Sequence, residues 1–270
     1  MKRLIVLITV LFLTLNANSQ REDSLWSLYK NTKNHDSIRL SALYEMAWDL
    51  IYTNPDSSYA LGVKQLEMAR SKKLKKFESK ALNTIGASFQ VRGNFVKAID
   101  SYQQGLKIME ELGDKRGIAS AMGNIGSLYI DLKQFQKALG YQKRCLQIVQ
   151  QIGNLDGVAS ALNNISIIYT NLKDYEQAIS YAQKSLDMYI LVNDNYGIAS
   201  ANANIANLHF DRKMYEKALP YQLKALALAE KEGYTQLQIT TGAEIGNTYH
   251  RLNKNDLAIK YLSAAEKLVN

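Results

Sequence analysis

Asparagine recurs at a spacing of forty residues in this sequence, and its side chain is suited to holding a polypeptide backbone. Asn124, Asn164 and Asn204 occupy equivalent positions. An amide side chain both donates and accepts hydrogen bonds, so it can pair with an extended backbone whatever the sequence of that backbone. Asn is also a poor residue in a helix interior, where it costs up to ~0.7 kcal/mol relative to Ala. Three copies at one position therefore favour peptide contact, and bonds to neighbouring helices or simple exposure to water are the alternative.

The residue types that carry catalysis or bind metals are not arranged for either task. Cys145 is the single cysteine, and the positions equivalent to it hold small residues, which predicts a buried packing role. The histidines His35, His209 and His250 include no pair with metal-ligand spacing on one helix. The sequence has no Gly-rich phosphate loop, no nucleophile elbow and no His-Glu-x-x-His pattern. We therefore expect neither an enzyme nor a bound cofactor or metal.

A forty-residue repeat positions these side chains. Its most regular column is Ile85, Ile125, Ile165, Ile205 and Ile245, and an Ala follows thirteen residues after each of them. Within one unit, Leu162, Ile165 and Ile168 follow helical spacing, and the polar segment 171–174 then interrupts the pattern with turn-forming residues. A fixed period of this length is typical of a solenoid, in which each unit buries its apolar face against its neighbours. The sequence therefore predicts an all-α protein.

The repeat resembles the tetratricopeptide repeat (TPR). That family places a small residue eight positions into the first helix, an aromatic residue three positions later and an Ala early in the second helix. Gly126, Tyr129 and Ala138 match this pattern, and the other units match it too, except that His209 replaces the aromatic residue in the fourth. The longer unit without a closing proline is similar to the repeats of kinesin light chains and of extracytoplasmic bacterial sensor proteins. The resemblance implies a right-handed TPR α-solenoid of about six helical hairpins.

The start of the chain differs from the repeat. Lys2 and Arg3 precede an apolar run over 4–15, and small residues follow at Ala17 and Ser19, which predicts a signal peptide over 1–19. An uncleaved anchor is the alternative, although the run is short for a bilayer core of about 30 Å. The remaining predicted divisions are a capping half-unit over 20–40, a degenerate TPR over 41–80, and TPRs over 81–120, 121–160, 161–200, 201–240 and 241–270, the last without a closing helix. We expect a periplasmic or secreted protein, cleaved near Ser19, with no membrane span in the mature chain.

Charge and composition restrict the class of partner. The formal net charge is +8, yet no long Lys/Arg tract with interleaved aromatic residues runs through the repeats, so no nucleic-acid partner is expected. A basic cluster over 70–76 lies near a predicted helix end, where it complements the helix dipole. An acidic partner or an anionic membrane surface is the alternative interpretation of that cluster.

The resemblance also implies where a ligand binds, because the first helices of TPR units line a concave groove. Residues three apart share one helical face, so the exposed stripe of each first helix follows from the sequence. The candidate contacts are Asn124, Ser127, Asp131, Asn164, Asn171, Asn204, Asn207, Asp211, Asn247, His250 and Arg251. In similar repeats the matching Asn holds the backbone of a bound peptide, which implies that role for Asn124, Asn164 and Asn204.

The sequence therefore predicts a scaffold that binds a protein or an extended peptide. The alternative function is the sensor portion of a bacterial signalling protein (a histidine kinase, cyclase or transcriptional regulator) whose membrane and output segments are absent from this chain. Leu262, Leu268 and Val269 stand in the last predicted helix without a following unit to cover them. Self-association or a further domain is expected at that end.

Overall fold

The computed structural model describes residues 20–269, which form thirteen α-helices and no strand. The first helix, α1, spans residues 20–30. The others are α2 (Asp36–Asp49), α3 (Pro55–Ser71), α4 (Lys75–Val91), α5 (Phe95–Glu111), α6 (Lys115–Asp131), α7 (Phe135–Gln151), α8 (Leu155–Asn171), α9 (Tyr175–Val192), α10 (Asn195–Asp211), α11 (Tyr215–Glu232), α12 (Thr235–Arg251) and α13 (Asn255–Val269). The predicted all-α class is confirmed. The predicted signal peptide over 1–19 lies outside the described residues, and none of the helices described is long and apolar enough to cross a membrane.

After α1 the helices alternate along the chain between the first helix of a repeat unit, which is even-numbered, and the second, which is odd-numbered. The described residues divide into two compact units, with the boundary between Leu128 and Tyr129. In the first unit α2, α3, α4 and α5 pack in succession, and α1 places Leu25, Trp26 and Tyr29 against a core that includes Leu43 and Met46. In the second unit α8 to α13 pack in succession.

The first helices of the five regular units begin six residues before the unit boundaries that the sequence predicts. Asp114, Asn154 and Asp194 cap α6, α8 and α10, because in each case the side-chain oxygen accepts a hydrogen bond from the backbone N–H of a Gly three residues later. The segments that begin with these glycines, such as Gly117–Ser120, look like linkers in the sequence but form the first turns of helices. A Cβ at Gly197 would lie 2.1 Å from the ring of Tyr189, so glycine is needed there for close helix packing.

Within a pair, a small residue on the first helix lets the second helix approach closely. A Cβ at Gly86 would lie 2.7 Å from the ring of Tyr102, and one at Gly246 would lie 2.6 Å from Leu262. The forty-residue period places buried side chains around these contacts: the repeated Ile residues are at most 5% exposed, and the repeated Ala residues are at most 4% exposed. The packing columns predicted from the sequence are therefore the core of both units.

Stacked aromatic rings also recur at equivalent positions, between the first and second helices of a unit. In the second unit these stacks are Tyr129–Tyr141, Tyr169–Tyr181, His209–Tyr221 and Tyr249–Tyr261, with ring centroids 5.5–5.8 Å apart. His209 thus keeps the geometry of the aromatic residue that it replaces. Its Nδ1 is buried without a hydrogen-bond partner, and burial, followed by the nearby Lys217 and Arg212, lowers the pKa of its imidazole.

Candidate peptide-binding surface

Two members of the Asn column join neighbouring first helices. In the first unit, Nδ2 of Asn124 on α6 donates to Oδ1 of Asn83 on α4. In the second unit, Nδ2 of Asn204 on α10 donates to Oδ1 of Asn163 on α8 at 2.9 Å. Asn carries two N–H donors and a carbonyl acceptor, so one bond between helices uses only part of its capacity. The structure thus gives these amides a packing role and also fixes how they are presented.

The same kind of contact continues between α10 and α12. Nδ2 of Asn207 donates to Oε1 of Glu244 at 3.1 Å, while Oε2 of Glu244 is buried without a hydrogen-bond partner. Burial raises the pKa of the Glu244 carboxyl, and the bond from Asn207 opposes that rise. Side-chain hydrogen bonds therefore tie the first helices of the second unit together from α8 through α10 to α12.

The other candidate contacts fall into three groups. Ser127 and Asn164 are partly buried near the middle of their helices. Asn247 and His250 on α12 are exposed, and Nδ1 of His250 lies 3.3 Å from Oδ1 of Asn255. The final group consists of the exposed last residues of four first helices: Asp131, Asn171, Asp211 and Arg251. They lie at the end of the helix face, beside the turn into the second helix.

The sequence interpretation overlooked Asn83 and Asn163, the acceptors of the two Asn–Asn bonds. Each precedes its donor by 41 residues, one more than the repeat period, because the side chains meet across adjacent helices and not at equivalent positions. Pairs of polar residues 41 positions apart in the sequence would have indicated these hydrogen bonds. A search along the repeat for pairs of amides one residue out of phase would have found both.

The basic cluster over 70–76 is largely neutralised within the first unit. Its ion pairs are Arg70–Glu78 (3.0 Å), Lys75–Glu78 (3.2 Å), Lys72–Asp36 (3.1 Å) and Lys76–Asp114 (2.9 Å). Burial alone would raise the pKa of Glu78, but the hydrogen bonds from Arg70 and Lys75 outweigh it and lower that pKa. The cluster therefore has a structural role that requires no external anion.

Cys145 is buried, and burial raises the pKa of its thiol to about 11. The thiolate is the reactive form of cysteine, so this side chain is almost wholly protonated and unreactive near neutral pH. Across residues 20–269, no group of three His, Cys, Asp or Glu side chains is placed to hold a metal ion.

The family to which the chain belongs follows from comparison with known repeats. The model of the tetratricopeptide repeat matches residues 77–151, 117–190 and 197–269. These matches cover well over half of the sequence, so the chain belongs to the tetratricopeptide repeat family, and its fold is a TPR solenoid. The protein is accordingly a TPR scaffold of the protein-interaction class. Comparison with curated protein sequences gives no significant match.

Solved structures similar to this chain share its fold. BtubC (BKLC) from P. vanneervenii aligns with a TM-score of 0.70 and 21% identity, over 80% of this chain and 91% of that one. A Rap protein complexed with competence and sporulation factor aligns with a TM-score of 0.66 and 17% identity, over 93% and 76%. Kinesin light chain-like repeats from Podosopora anserina align with a TM-score of 0.59 and 10% identity, over 74% and 99%. The predicted likeness to kinesin light chain repeats is confirmed at the level of fold.

Proposed function

We propose that this protein is an extracytoplasmic scaffold that binds an extended segment of a partner protein, or a peptide, along its first helices. The observation that carries the proposal is the bond from Asn204 to Asn163. That bond holds a partly buried amide in one orientation and leaves the side chain a further donor and its carbonyl acceptor for a ligand backbone. A side-chain amide that is already ordered loses less conformational entropy when a ligand binds to it, which favours binding.

Asn124 and its acceptor Asn83 repeat this arrangement in the first unit. Amides that bind backbone groups impose little demand on the ligand sequence, so specificity must come from the side chains that surround them. The complex of a structurally similar Rap protein with competence and sporulation factor supports a peptide as one class of ligand for this fold. The likeness to that protein is one of fold, at 17% identity.

Affinity capture tests the binding surface when its design separates contact from packing. The bait is the chain without residues 1–19, and the prey is a periplasmic extract. Asn204→Ala removes the proposed ligand contact together with the bond between helices, whereas Asn163→Ala removes the same bond and keeps Asn204. We expect Asn204→Ala to lose the partner and Asn163→Ala to retain it. Equal retention by both variants, with circular dichroism confirming that both are folded, contradicts the proposal.

The extracytoplasmic location rests on the sequence of residues 1–19. Expression of the full-length chain, followed by cell fractionation and N-terminal mass analysis, tests it. We expect the protein in the periplasm or medium with a new N-terminus near Gln20. A cytoplasmic protein that retains Met1 contradicts this part of the proposal and leaves the binding surface untouched.

The alternative function, the sensor portion of a signalling protein, would use the same surface to detect its ligand. It stays a prediction, and so does self-association or a further domain at α13. Leu262, Leu268 and Val269 are exposed on that helix, between 40% and 68%.

A further inference from the structure

The turns of the second unit form two rows, one at each end of its helices. The turns from a first helix to a second helix make up the lysine edge, which comprises residues 131–137, 171–177, 211–217 and 251–257. The turns from a second helix to the next first helix make up the acidic edge, which comprises residues 151–157, 191–197 and 231–237. The helices α8 and α10 have 17 residues each, which holds the two edges about 25 Å apart.

The two edges carry opposite net charge. The four segments of the lysine edge contain eight Lys or Arg and six Asp or Glu, whereas the three segments of the acidic edge contain one Lys and three Asp or Glu. Both edges belong to the same repeat, so their charges recur from turn to turn with the same period. The two rows therefore complement each other in spacing as well as in sign.

The backbone conformation indicates that the lysines have a task beyond local folding. The left-handed residues of the lysine edge, with φ between 57° and 63°, are Lys133, Lys173, Lys213 and Asn253. Those of the acidic edge are Gly153, Asn193 and Gly233. Gly and Asn adopt this conformation readily, whereas Lys adopts it at a greater cost, and such strain is often retained at functional sites. The pattern belongs to the second unit, because in the first unit Gly93 and Lys73 occupy the two kinds of turn the other way round.

The three lysines are available to a partner. Lys133, Lys173 and Lys213 are exposed, and among residues 20–269 no carboxylate forms an ion pair with any of them. The ammonium group of Lys173 lies 6.0 Å from the ring centroid of Tyr175, and the neighbouring Leu172 is 36% exposed. This turn thus presents a cation beside apolar surface.

The acidic edge combines carboxylates with exposed apolar side chains. Asp156 and Glu230, the latter in the last turn of α11 beside this edge, are exposed, and within the described part of the chain no Lys or Arg forms an ion pair with either. Leu155, Leu191 and Tyr196 are 43%, 59% and 56% exposed. The edge therefore offers charge that attracts lysine and apolar area whose burial favours association.

We propose that the second unit binds a second copy of this chain side by side, with the lysine edge of one copy against the acidic edge of the other. Successive turns then bring the three lysines opposite segments 151–157, 191–197 and 231–237. The contact uses different surfaces on the two copies, so each pair keeps one free edge of each kind and association continues beyond a dimer. The inference goes beyond the proposed peptide-binding function and does not depend on it.

The mixed charge of the lysine edge favours this occupant over a uniformly anionic surface. A uniformly anionic surface would repel the six carboxylates of the edge, among them Asp174 and Asp211. Carboxylates that recur once per turn meet the lysines and leave those six acidic side chains without a continuous negative surface against them. Among anionic partners, the acidic edge of another copy has the required spacing.

Sedimentation velocity of the purified chain tests the association. We expect the sedimentation coefficient to rise with protein concentration in about 25 mM NaCl and to return to the monomer value in about 500 mM NaCl, because salt screens exposed charges. A monomer at every concentration up to the solubility limit in the low-salt buffer overturns the inference.

Charge reversal assigns the association to the two edges. Lys133→Glu with Lys213→Glu makes both edges negative, and Asp156→Lys with Glu230→Lys makes both positive. Each double variant should associate at least about tenfold more weakly than wild type, because like charges then face each other. An equimolar mixture of the two variants should associate again, and so should a single chain that carries all four substitutions.

Two control variants and the mixture decide the outcome. Lys184→Glu with Lys224→Glu reverses the same number of charges at exposed positions outside both edges, and it should associate like wild type. Ile259→Lys, at a position of α13 that is 63% exposed, should do so too. Loss of association in either control overturns the inference. A mixture that stays monomeric, with circular dichroism showing both variants folded, assigns the lysines to another ligand and also overturns it.

Discussion

Asn204 on α10 and Asn163 on α8 share a hydrogen bond of 2.9 Å, although they are not equivalent positions of the repeat. The bond runs between successive first helices, so it helps set the spacing of the face that the proposed ligand would contact. One amide consequently belongs both to the packing of the solenoid and to its binding surface. The packing contribution of Asn204 can be separated from its proposed ligand contact, because substitution of Asn163 removes the hydrogen bond and leaves Asn204 in place.

A double-mutant cycle on Asn163 and Asn204 should reveal their coupling. We expect each Ala substitution to lower the free energy of unfolding by about 0.5–1.5 kcal/mol, because the remaining amide loses its partner. The double variant should lose less than the sum of the two single effects. Urea unfolding measures the three variants and the wild type under one set of conditions. Strict additivity would show that the bond contributes nothing to stability.

Glu244 should make the protein less stable as the pH rises above the ordinary pKa of a glutamate carboxyl. Burial raises its pKa above 4.5 in the folded state, so the folded protein holds this proton over a range in which the unfolded chain has released it. The free energy of unfolding then falls as the pH increases through that range. Glu244→Gln should remove this part of the pH dependence and gain relative stability near neutral pH.

Urea unfolding of wild type and Glu244→Gln between about pH 4 and about pH 7 isolates the effect as a difference. This matters because Asp36, Glu78 and Asp114 have lowered pKa values and produce the opposite trend in both proteins. Glu216→Gln, at an exposed position of α11, is the matched control and should run parallel to wild type. A Glu244→Gln curve parallel to wild type would refute the assignment.

Two glycines of the second unit should respond to Ala in opposite directions. At Gly197 the added Cβ would lie 2.1 Å from the ring of Tyr189, so Gly197→Ala must displace that ring and should cost roughly 1–3 kcal/mol. At Gly140, inside α7, nothing lies within 4 Å of the added Cβ. Gly140→Ala should therefore raise the free energy of unfolding by about 0.5–1 kcal/mol through helix propensity. Thermal and urea unfolding check both; a stable Gly197→Ala variant would contradict the packing role.

The recurrence of one residue type at equivalent positions of successive units allowed the fold to be predicted from the sequence. The Ile and Ala columns recur forty residues apart, and their burial follows directly from the period. The helix starts were harder to locate, because Gly117 and Gly197 look like linker residues when their tight contacts with Met109 and Tyr189 are unknown. Such contacts depend on how a helix leans against the preceding one, which the period does not specify.

The sequence repeat predicted only some of the residues of the candidate site. The repeat singles out Asn124 and Asn204, but their acceptors stand one residue out of phase in the previous unit. An alignment of equivalent positions therefore separates each donor from its acceptor, and only a comparison one residue out of phase brings the two together.

His209 interrupts the aromatic column, and restoring that column should stabilise the second unit most strongly in acid. Its ring stacks on Tyr221 at 5.8 Å, but its Nδ1 is buried without a partner. Since its pKa is lowered below 6.5, the unfolded chain takes up a proton that the folded protein resists, and stability is lost as the pH falls through that range. His209→Tyr removes the unpaired buried nitrogen and also the group whose protonation destabilises the folded state in acid.

Melting temperatures of wild type and His209→Tyr, compared across about pH 5 to 8, measure this effect. We expect the variant to be more stable throughout, with an advantage that grows toward the acid end. His250→Tyr is the matched control, because His250 is exposed on α12 and its replacement should give no such growth. A gain for His209→Tyr that is constant with pH would assign the whole effect to ring packing and none to the buried imidazole.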